Sequence, residues 1–226
     1  MNTILAGENV LVVMPTGAGK SLCFQIPALA CDALTIVVSP LVALMEDQVA
    51  ALRLAGVAAE TINSSRDYNV NAASWRRVAA GETRLLYISP ERLMTDRMLA
   101  ALSRLPVALL VVDEAHCISR WGPSFRPEYE GLSRIGAIFP DAAIAAFTAT
   151  ADAATRDDIA GKLFNGQGRI FVAGFDRPNI RLAVEPRGDW KQQLLTFVKD
   201  RAGESGIVYC LSRKKTDEAA SFLSDN

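Results

Sequence analysis

The sequence predicts an α/β protein built on a parallel sheet with helices on both faces. Short apolar runs rich in β-branched residues recur along the chain, and a helix-like stretch follows most of them. The runs are continuously apolar rather than alternating, which is typical of strands buried on both faces. Loop residues follow the strands, at the carboxyl ends where such sheets place their ligands.

The expected elements alternate between strand and helix along the first part of the chain. Each strand is a short apolar run, and each helix is a longer stretch of mixed polarity. The predicted strands are Val10–Met14, Thr35–Ser39, Leu85–Ser89, Leu109–Asp113, Ile144–Thr148 and Arg169–Val172. The predicted helices are Lys20–Ala30, Leu41–Ala55, Glu91–Leu102 and Asp152–Phe164.

A second region begins near Gly174, because the segment 174–179 combines glycine, proline and polar turn formers, as a linker does. Two further strand–helix units are predicted beyond it. They are Ile180–Val184 with Trp190–Arg201, and Ile207–Cys210 with Lys214–Leu223. Two such units bury little surface. We therefore expect one complete domain over residues 1–174 and the truncated start of a second over 175–226.

Composition excludes several classes of protein. The 226 residues are 50% hydrophobic and 22% charged, with 24 basic and 25 acidic side chains, which is too apolar and too neutral for intrinsic disorder. No apolar run approaches the roughly 18 residues of a membrane span, and the N-terminus lacks a secretory pattern. A net charge of −1 argues against bulk attraction to nucleic acid but allows a local basic groove. Four scattered cysteines and one histidine are poor material for zinc or disulfides, and favour a reducing cytoplasm.

A phosphate-binding loop is predicted after the first strand. Glycines permit a tight backbone path, and successive N–H groups and the following helix N-terminus then face a polyphosphate. Lys20 would reach the β- and γ-phosphates, and the Ser21 hydroxyl would bind Mg²⁺. Met14 stands where the general pattern has glycine, so the match is to a variant form. A plain glycine-rich turn is the alternative. The expected nucleotide-binding residues are Pro15, Thr16, Gly17, Ala18, Gly19, Lys20 and Ser21.

Two carboxylates end the buried strand before His116. Asp113 is expected to hold Mg²⁺ through its water shell, and Glu114 to orient and deprotonate the attacking water. The alternative is that Asp113 only caps the next helix. His116 alone is more often an ordinary residue, but its position beside Glu114 favours a coupling role, and not that of a metal ligand.

At this point the residues resemble a known family. MPTGAGKS (14–21), DEAH (113–116) and TAT (148–150) together resemble the motifs of superfamily 2 helicases. Four more segments resemble the RecQ family of DNA helicases, and a fifth resembles its fourth helicase motif. They are SPLVALMEDQV (39–49), YISPERL (87–93), CISRWGPSFRPEY (117–129), FDRPNI (175–180) and GIVYCLSRKKTDEAA (206–220).

The resemblance implies a RecA-like P-loop NTPase fold of two lobes with ATP between them, this chain holding the first lobe and the start of the second. It implies ATP and Mg²⁺ as cofactors, and 3′→5′ translocation on single-stranded DNA that unwinds partly duplex DNA in repair and recombination. Such a protein is cytoplasmic and nucleoid-associated in a bacterium, or nuclear in a eukaryote. Thr148 and Thr150 resemble the motif that links the nucleotide site to the DNA site.

DNA contacts are expected on an aromatic-rich loop after DEAH. Its cations and aromatic faces suit stacking on unpaired bases beside phosphates, although an ordinary aromatic cluster is the alternative. These residues are Arg120, Trp121, Phe125, Arg126 and Tyr129. Ser39, Pro40 and Ser89 stand at strand ends where they would contact phosphates, although Ser-Pro is also a plain helix start.

The sequence departs from the family at Pro123-Ser124, where relatives usually have His-Asp. Since proline stiffens this loop and removes an N–H donor, we expect the coupling of DNA binding to ATP hydrolysis to be altered here. The family's adenine-recognising segment would lie upstream and its arginine finger beyond Asn226. We therefore expect weak ATP binding and little unwinding from this chain alone. An RNA helicase of the DEAD or DEAH type, or a non-catalytic nucleic-acid-binding module, are the competing interpretations. The sequence does not set the oligomeric state.

Overall fold

The computed structural model describes residues 1–119, 126–174 and 180–225. The chain divides into two compact units, Met1–Asp176 and Arg177–Asn226. No helix in the described ranges is both long and apolar enough to cross a membrane. The assignment of the second unit as the start of a helicase lobe stays a prediction.

The first unit consists of seven strands and the helices that connect them. The strands are β1 Val10–Val13, β2 Leu34–Val38, β3 Ala59–Ile62, β4 Leu85–Ile88, β5 Val107–Val112, β6 Ala143–Thr148 and β7 Arg169–Val172. The helices are α1 Asn2–Leu5, α2 Lys20–Ala30, α3 Val42–Leu54, α4 Tyr68–Ala79, α5 Pro90–Leu93, α6 Asp96–Leu102, α7 Pro127–Glu130, α8 Ile135–Ile138 and α9 Ala153–Phe164. Two 3₁₀ turns, Ala115–Ile118 and Gly131–Arg134, follow β5 and α7.

All seven strands are paired in parallel, in the order β3-β4-β2-β5-β6-β1-β7. This confirms the predicted fold class for the first unit. The inner strands are almost entirely apolar, apart from the buried Thr35 in β2 and Thr148 in β6, because both faces of the sheet are covered. β1 pairs with β6 in a register that sets Val13 beside Thr148, so the loop after β1 starts next to the end of β6.

Helices cover both faces, and a separate hydrophobic core fills each. Side chains alternate between the faces of a strand, so Leu11 lies in one core and Val10 in the other. The first core takes side chains from α4, α5, α6 and α9, and the second takes side chains from α1, α2 and α3. Loops that leave the carboxyl ends of the strands are thereby held on a rigid, two-sided platform.

Sequence reasoning missed β3 and α4. β3 contains Glu60 and Thr61, which interrupt the apolar run that marks a buried strand, yet both are buried. The Glu60 carboxylate is paired with Arg53 of α3 and Arg77 of α4, so its charge is neutralised by arginines on the two helices that flank β3 in sequence. The predicted helix Glu91–Leu102 is in fact two, because Thr95 leaves the helix and caps α6 with its hydroxyl.

The second unit contains two helices, α10 Trp190–Lys199 and α11 Arg213–Ser224, which are capped by the side chains of Asp189 and Ser212. Both helices were predicted. The strands predicted at 180–184 and 207–210 were wrong, since the described residues there form no strand. A strand needs a hydrogen-bonded neighbour, and here the side chains stay in solvent: Leu182 is 89% exposed and Tyr209 is 90% exposed.

Candidate nucleotide-binding and coupling site

The loop between β1 and α2 has the backbone geometry that a phosphate cradle needs. Gly17 and Gly19 lie in the left-handed region, with φ of +83° and +82°, which side chains with a Cβ rarely adopt. Gly19 is the N-cap of α2 and provides no side chain to cap its N–H groups. The positive end of an 11-residue helix therefore faces the loop without a side-chain cap.

Lys20 and Met14 tie the two ends of this loop together. The Lys20 Nζ donates to the Met14 carbonyl over 3.0 Å. The Met14 N–H in turn donates to the carbonyl of Thr148 at the end of β6. Met14 thus joins the loop to Lys20 through its backbone carbonyl and to β6 through its backbone N–H. The predicted nucleotide-binding residues are partly or fully exposed.

Asp113 lies at the carboxyl end of β5, beside the phosphate loop. Its N–H donates to the Val38 carbonyl, and its Oδ2 accepts from the Ser39 hydroxyl over 3.3 Å. The Tyr129 hydroxyl donates to the Asp113 carbonyl over 3.0 Å. Burial, together with the charge of Glu114, raises the pKa of Asp113 to about 6, against the lowering effect of its hydrogen bonds and Lys20. A nearby cation would stabilise the ionised form of a buried carboxyl group of this kind.

Glu114 has a left-handed backbone, with φ of 49° and ψ of 44°. This conformation is uncommon for a residue with a side chain, and such residues cluster at functional sites. It lets the Glu114 N–H donate to Asp113 Oδ1 over 3.0 Å. The hydrogen bond with His116 lowers the pKa of Glu114, although burial acts in the opposite direction. Glu114 is therefore ionised at neutral pH and available as a base.

His116 links the carboxylate to β6. Its Nδ1 lies 3.3 Å from Glu114 Oε2 and 2.8 Å from Thr148 Oγ1. Thr148 Oγ1 donates to the Thr150 carbonyl over 3.1 Å and accepts from the Thr150 N–H over 3.3 Å. Hydrogen bonds with Cys117 and Glu114 raise the pKa of His116 to about 9, so the ring is protonated at neutral pH and both nitrogens donate. The three predicted coupling residues are thus one continuous hydrogen-bonded chain.

The structure brings together only part of the predicted DNA-binding set. Ser39 is 2% exposed and directs its hydroxyl to Asp113, while Ser89 is buried and its Oγ has no hydrogen-bond partner among the described residues. Pro40 is partly exposed and Arg126 is exposed. Arg120, Trp121 and Phe125, like Pro123-Ser124, lie outside the described residues. Their assignment to DNA stays a prediction.

The expected stacking role of Tyr129 is wrong. Its side chain is completely buried in the first core, so no base can reach its ring. Burial also raises the pKa of its hydroxyl, which stays protonated and donates to the backbone of Asp113. Tyr129 therefore positions the acidic strand end rather than contacting nucleic acid. Tyr129 lies between Glu128 and Glu130, and a tyrosine between two charged residues gave no sequence signal of this burial.

Other residues that support the site were not found by sequence reasoning. Gln25 of α2 donates to Gln48 over 2.9 Å and to the Tyr87 hydroxyl over 3.0 Å, which joins α2, α3 and β4 behind the loop. Lys162 of α9 donates to the Ile118 carbonyl over 2.9 Å and holds the 3₁₀ turn after DEAH. These contacts connect elements far apart in sequence, and a lone Gln or Lys carries no motif.

The donor set beside the phosphate loop fits a hard cation. The side chains of Ser21, Ser39 and Asp113 line one small depression and offer only oxygen atoms. Hydroxyl, carboxylate and phosphate oxygens are the ligands that Mg²⁺ prefers. Neither here nor elsewhere in the described ranges do three or more His, Cys, Asp or Glu residues form a group that could hold a metal ion without further ligands.

Comparisons with known proteins agree with this geometry. The family model of DEAD/DEAH box helicases matches residues 1–159. The chain is 46% identical to the ATP-dependent DNA helicase RecQ of Haemophilus influenzae and 44% identical to that of Pasteurella multocida, each over 99% of the chain. It spans 36% and 35% of the lengths of these relatives. The predicted resemblance to RecQ helicases is confirmed.

Among solved structures, the helicase MrfA bound to DNA and AMPPNP superimposes with a TM-score of 0.75. The match covers 99% of this chain and 34% of that one, at 16% sequence identity. At this identity the likeness supports the fold alone. The helicase fold therefore agrees with the parallel sheet and its phosphate loop.

Proposed function

The chain belongs to the DEAD/DEAH box helicase family, and we propose that it forms the ATP-binding part of a RecQ-type DNA helicase. That helicase would couple ATP hydrolysis to 3′→5′ movement along single-stranded DNA and would separate partly duplex DNA. Its roles would lie in repair and recombination. Since the chain spans little more than a third of its relatives, the activity of the whole protein is part of the proposal.

One observation supports the proposal above the others. The phosphate loop, the acidic strand end and the Thr148–Thr150 segment meet at the carboxyl ends of three adjacent strands, β1, β6 and β5. There His116 connects Glu114 to Thr148 by contacts of 3.3 and 2.8 Å. A nucleotide-binding fold used only for binding has no need of this connection, whereas a motor that couples hydrolysis to movement does.

In the proposed mechanism the phosphate loop holds the triphosphate. The N–H groups at the start of α2 and the Lys20 ammonium neutralise the β- and γ-phosphates, where charge develops during phosphoryl transfer. Mg²⁺ would be held by the Ser21 hydroxyl and, through water, by Asp113, and it would supply further neutralisation of those oxygens. Ser39 and Tyr129 fix Asp113 in position by hydrogen bonds to its carboxylate and its carbonyl.

Glu114 would orient and deprotonate the attacking water. Its lowered pKa keeps it ionised, so it can accept the proton. His116, a positioning residue, holds the carboxylate by its Nδ1 contact. Movement of the Thr148–Thr150 segment on DNA binding would shift His116 and with it the base.

The test is ATP hydrolysis by a protein extended to the length of the relatives, measured with single-stranded DNA, with RNA and with neither. We expect stimulation by DNA, and its loss in Lys20→Ala because the phosphates lose their cation. Lys199→Ala, at the exposed end of α10, is the matched control and should hydrolyse normally. Stimulation by RNA alone would support the RNA helicase interpretation and overturn the proposal.

The 226-residue chain by itself is expected to bind ATP weakly and to separate no duplex. Strand separation by the purified chain would contradict this part of the proposal. A fluorescent duplex with a 3′ single-stranded tail is the appropriate substrate, because it matches the proposed polarity.

A further inference from the structure

A second cleft lies away from the phosphate loop, between α4 and the α5–α6 pair. It has a volume of about 260 Å³ and opens to solvent. This volume lies just below the roughly 300–1,000 Å³ of drug-sized ligand sites, so the cleft has room for one small group at most. Its lining includes Ile62, Tyr68, Trp75, Arg92, Arg97 and Met98. Five strand spacings separate β3, beside the cleft, from β1, which is roughly 24 Å at about 4.8 Å per strand. The cleft is therefore distinct from the nucleotide-binding site.

The cleft nevertheless opens toward the same edge of the sheet. Ile62 is the last residue of β3, and Arg92 lies in the helix that starts two residues after β4 ends. Both positions belong to the carboxyl ends of their strands, as do Asp113 and the phosphate loop. A strand of nucleic acid that runs along this edge would pass the cleft.

Two aromatic side chains provide flat surfaces in the cleft. Trp75 is half-buried and packs on the first core, which fixes its ring. Tyr68 is 76% exposed at the start of α4, so its ring is accessible from solvent. Aromatic faces of this kind stack on nucleobases with little regard to sequence.

The charged groups that line the cleft are two arginine side chains, which favour an anionic ligand. Arg92 Nε is buried and has no hydrogen-bond partner among the described residues, which is costly for a charged group unless a ligand supplies the acceptor. Arg97 adds a second, exposed guanidinium, and no carboxylate lines the cleft within the described ranges. Planar guanidinium groups match phosphate oxygens well.

The cleft is also preformed. The Asn71 amide donates to the carbonyls of Asn63 and Arg66 over 2.9 and 3.1 Å, which fastens the loop after β3 to α4. On the opposite wall, the Thr95 hydroxyl donates to the Arg92 carbonyl over 3.0 Å and caps α6. Both walls are thus held by hydrogen bonds within the first unit, so a ligand would not need to order them.

We propose that this cleft binds one nucleotide, with the base against Tyr68 and Trp75 and the phosphate at Arg92 and Arg97. Its source, by the proposed function on which this part rests, is a single strand of DNA that leaves one nucleotide in the cleft. A free mononucleotide has the same chemistry and is the other source. The cleft contributes to holding the strand and has no part in hydrolysis.

Photocrosslinking of the full 226-residue chain tests the proposal. A single-stranded oligodeoxynucleotide carrying 5-iododeoxyuridine is bound, irradiated and digested with trypsin, and the linked peptides are identified by mass spectrometry. Cleavage after Arg66 and Arg76 releases residues 67–76, which contain both Tyr68 and Trp75 and no other aromatic residue. We expect a crosslink in this peptide. Crosslinks confined to other peptides would overturn the proposal.

Affinity measurements give a second, independent readout. Arg92→Ala and Tyr68→Ala should each weaken binding of the oligonucleotide about tenfold, as expected for loss of one phosphate contact or one stacked base. Tyr68 is exposed enough that its removal leaves the fold intact. Arg104→Ala, an exposed arginine just beyond α6, and Tyr209→Ala are the matched controls and should bind normally. Equal affinity for the oligonucleotide in all four variants would refute nucleotide binding in the cleft.

Competition distinguishes the two sources of the nucleotide. Loss of the crosslink on addition of thymidine monophosphate shows that a free mononucleotide suffices, and a crosslink that only unlabelled oligonucleotide removes shows that the strand is required. Either result supports nucleotide binding in the cleft.

The Lys20→Ala variant distinguishes failure of the cleft proposal from failure of the proposed function. A crosslink that persists in this variant, while hydrolysis by the extended protein is lost, shows that the two sites act independently. A missing crosslink in a chain that still binds ATP and DNA rejects the cleft alone.

Discussion

The Nδ1 atom of His116 lies 2.8 Å from the Oγ1 atom of Thr148, and this contact joins the acidic end of β5 to the end of β6. The same nitrogen lies 3.3 Å from Glu114 Oε2. One protonated imidazole therefore touches both the proposed catalytic base and the segment that resembles a coupling motif. The relationship connects any displacement of β6 to the position of the base.

Replacing Thr148 should separate hydrolysis from its activation by DNA. In a protein extended to the length of the relatives, Thr148→Val keeps the volume but removes the hydroxyl that His116 and Thr150 share. We expect stimulation of ATP hydrolysis by single-stranded DNA to fall about tenfold or more, with ATP affinity unchanged. Thr150→Ala is the matched control, because the hydrogen bonds of Thr150 to Thr148 come from its backbone. Equal losses in the two variants would contradict the role of the hydroxyl.

Tyr129 should contribute to stability through a single hydrogen bond. Tyr129→Phe keeps the buried ring and removes only the hydroxyl that donates to the Asp113 carbonyl. We expect the free energy of unfolding, from urea titration, to fall by about 1 kcal/mol. Tyr209→Phe, at a position that is 90% exposed, should show no change. An unaltered urea midpoint in Tyr129→Phe would show that this hydrogen bond adds nothing.

Glu60 should make stability depend on pH. Burial alone would raise its pKa, but the hydrogen bonds from Arg77 and the charges of Arg53 and Arg77 lower it below the ordinary 4.5. A carboxyl with a lowered folded pKa stabilises the protein above the unfolded pKa, and loses that contribution as pH falls through the folded value. The contribution is therefore complete at neutral pH and is lost as the pH falls below 4.5 and through the lowered pKa of the folded protein.

The Glu60→Gln variant tests this dependence. We expect it to be about 2 kcal/mol less stable than the parent at pH 7, with the difference shrinking at acid pH, as followed by urea unfolding across the pH range. Asp32→Asn is the control, because Asp32 pairs with Arg84 while its side chain is 98% exposed. A Glu60→Gln deficit that stays constant from pH 7 to pH 3 would mean that the charge is not its cause.

The buried strands and the phosphate loop could be predicted because both depend on residues that are close together in sequence. Continuous apolar runs such as Leu34–Val38 identify buried strands, and the glycine positions of the phosphate loop follow from backbone sterics. β3 was missed because Glu60 is neutralised by arginines on two other elements, which no local window shows. The strands predicted at 180–184 and 207–210 were wrong because a strand also needs a neighbour to pair with.

In the candidate site, too, the features set by local sequence were predicted and those set by tertiary packing were not. The motifs identified Lys20, Asp113 and Glu114 because their chemistry is tied to fixed spacing. The stacking role expected for Tyr129 was wrong because a ring flanked by Glu128 and Glu130 gives no local sign of burial, which depends on how α7 packs on the first core. The hydrogen bond between His116 and Thr148 depends on the pairing of β5 with β6, which sequence spacing does not define.

The most direct test of the account is the rate of ATP hydrolysis by Glu114→Gln in the extended protein with saturating single-stranded DNA. Removal of a general base costs about 10²- to 10⁴-fold in rate, and the neutral amide leaves the phosphate loop intact. We therefore expect hydrolysis to fall at least 100-fold while ATP affinity stays within about twofold of the parent. Glu82→Gln, on the surface after α4, should hydrolyse at the parental rate. Parental hydrolysis by Glu114→Gln would contradict the assignment of the base.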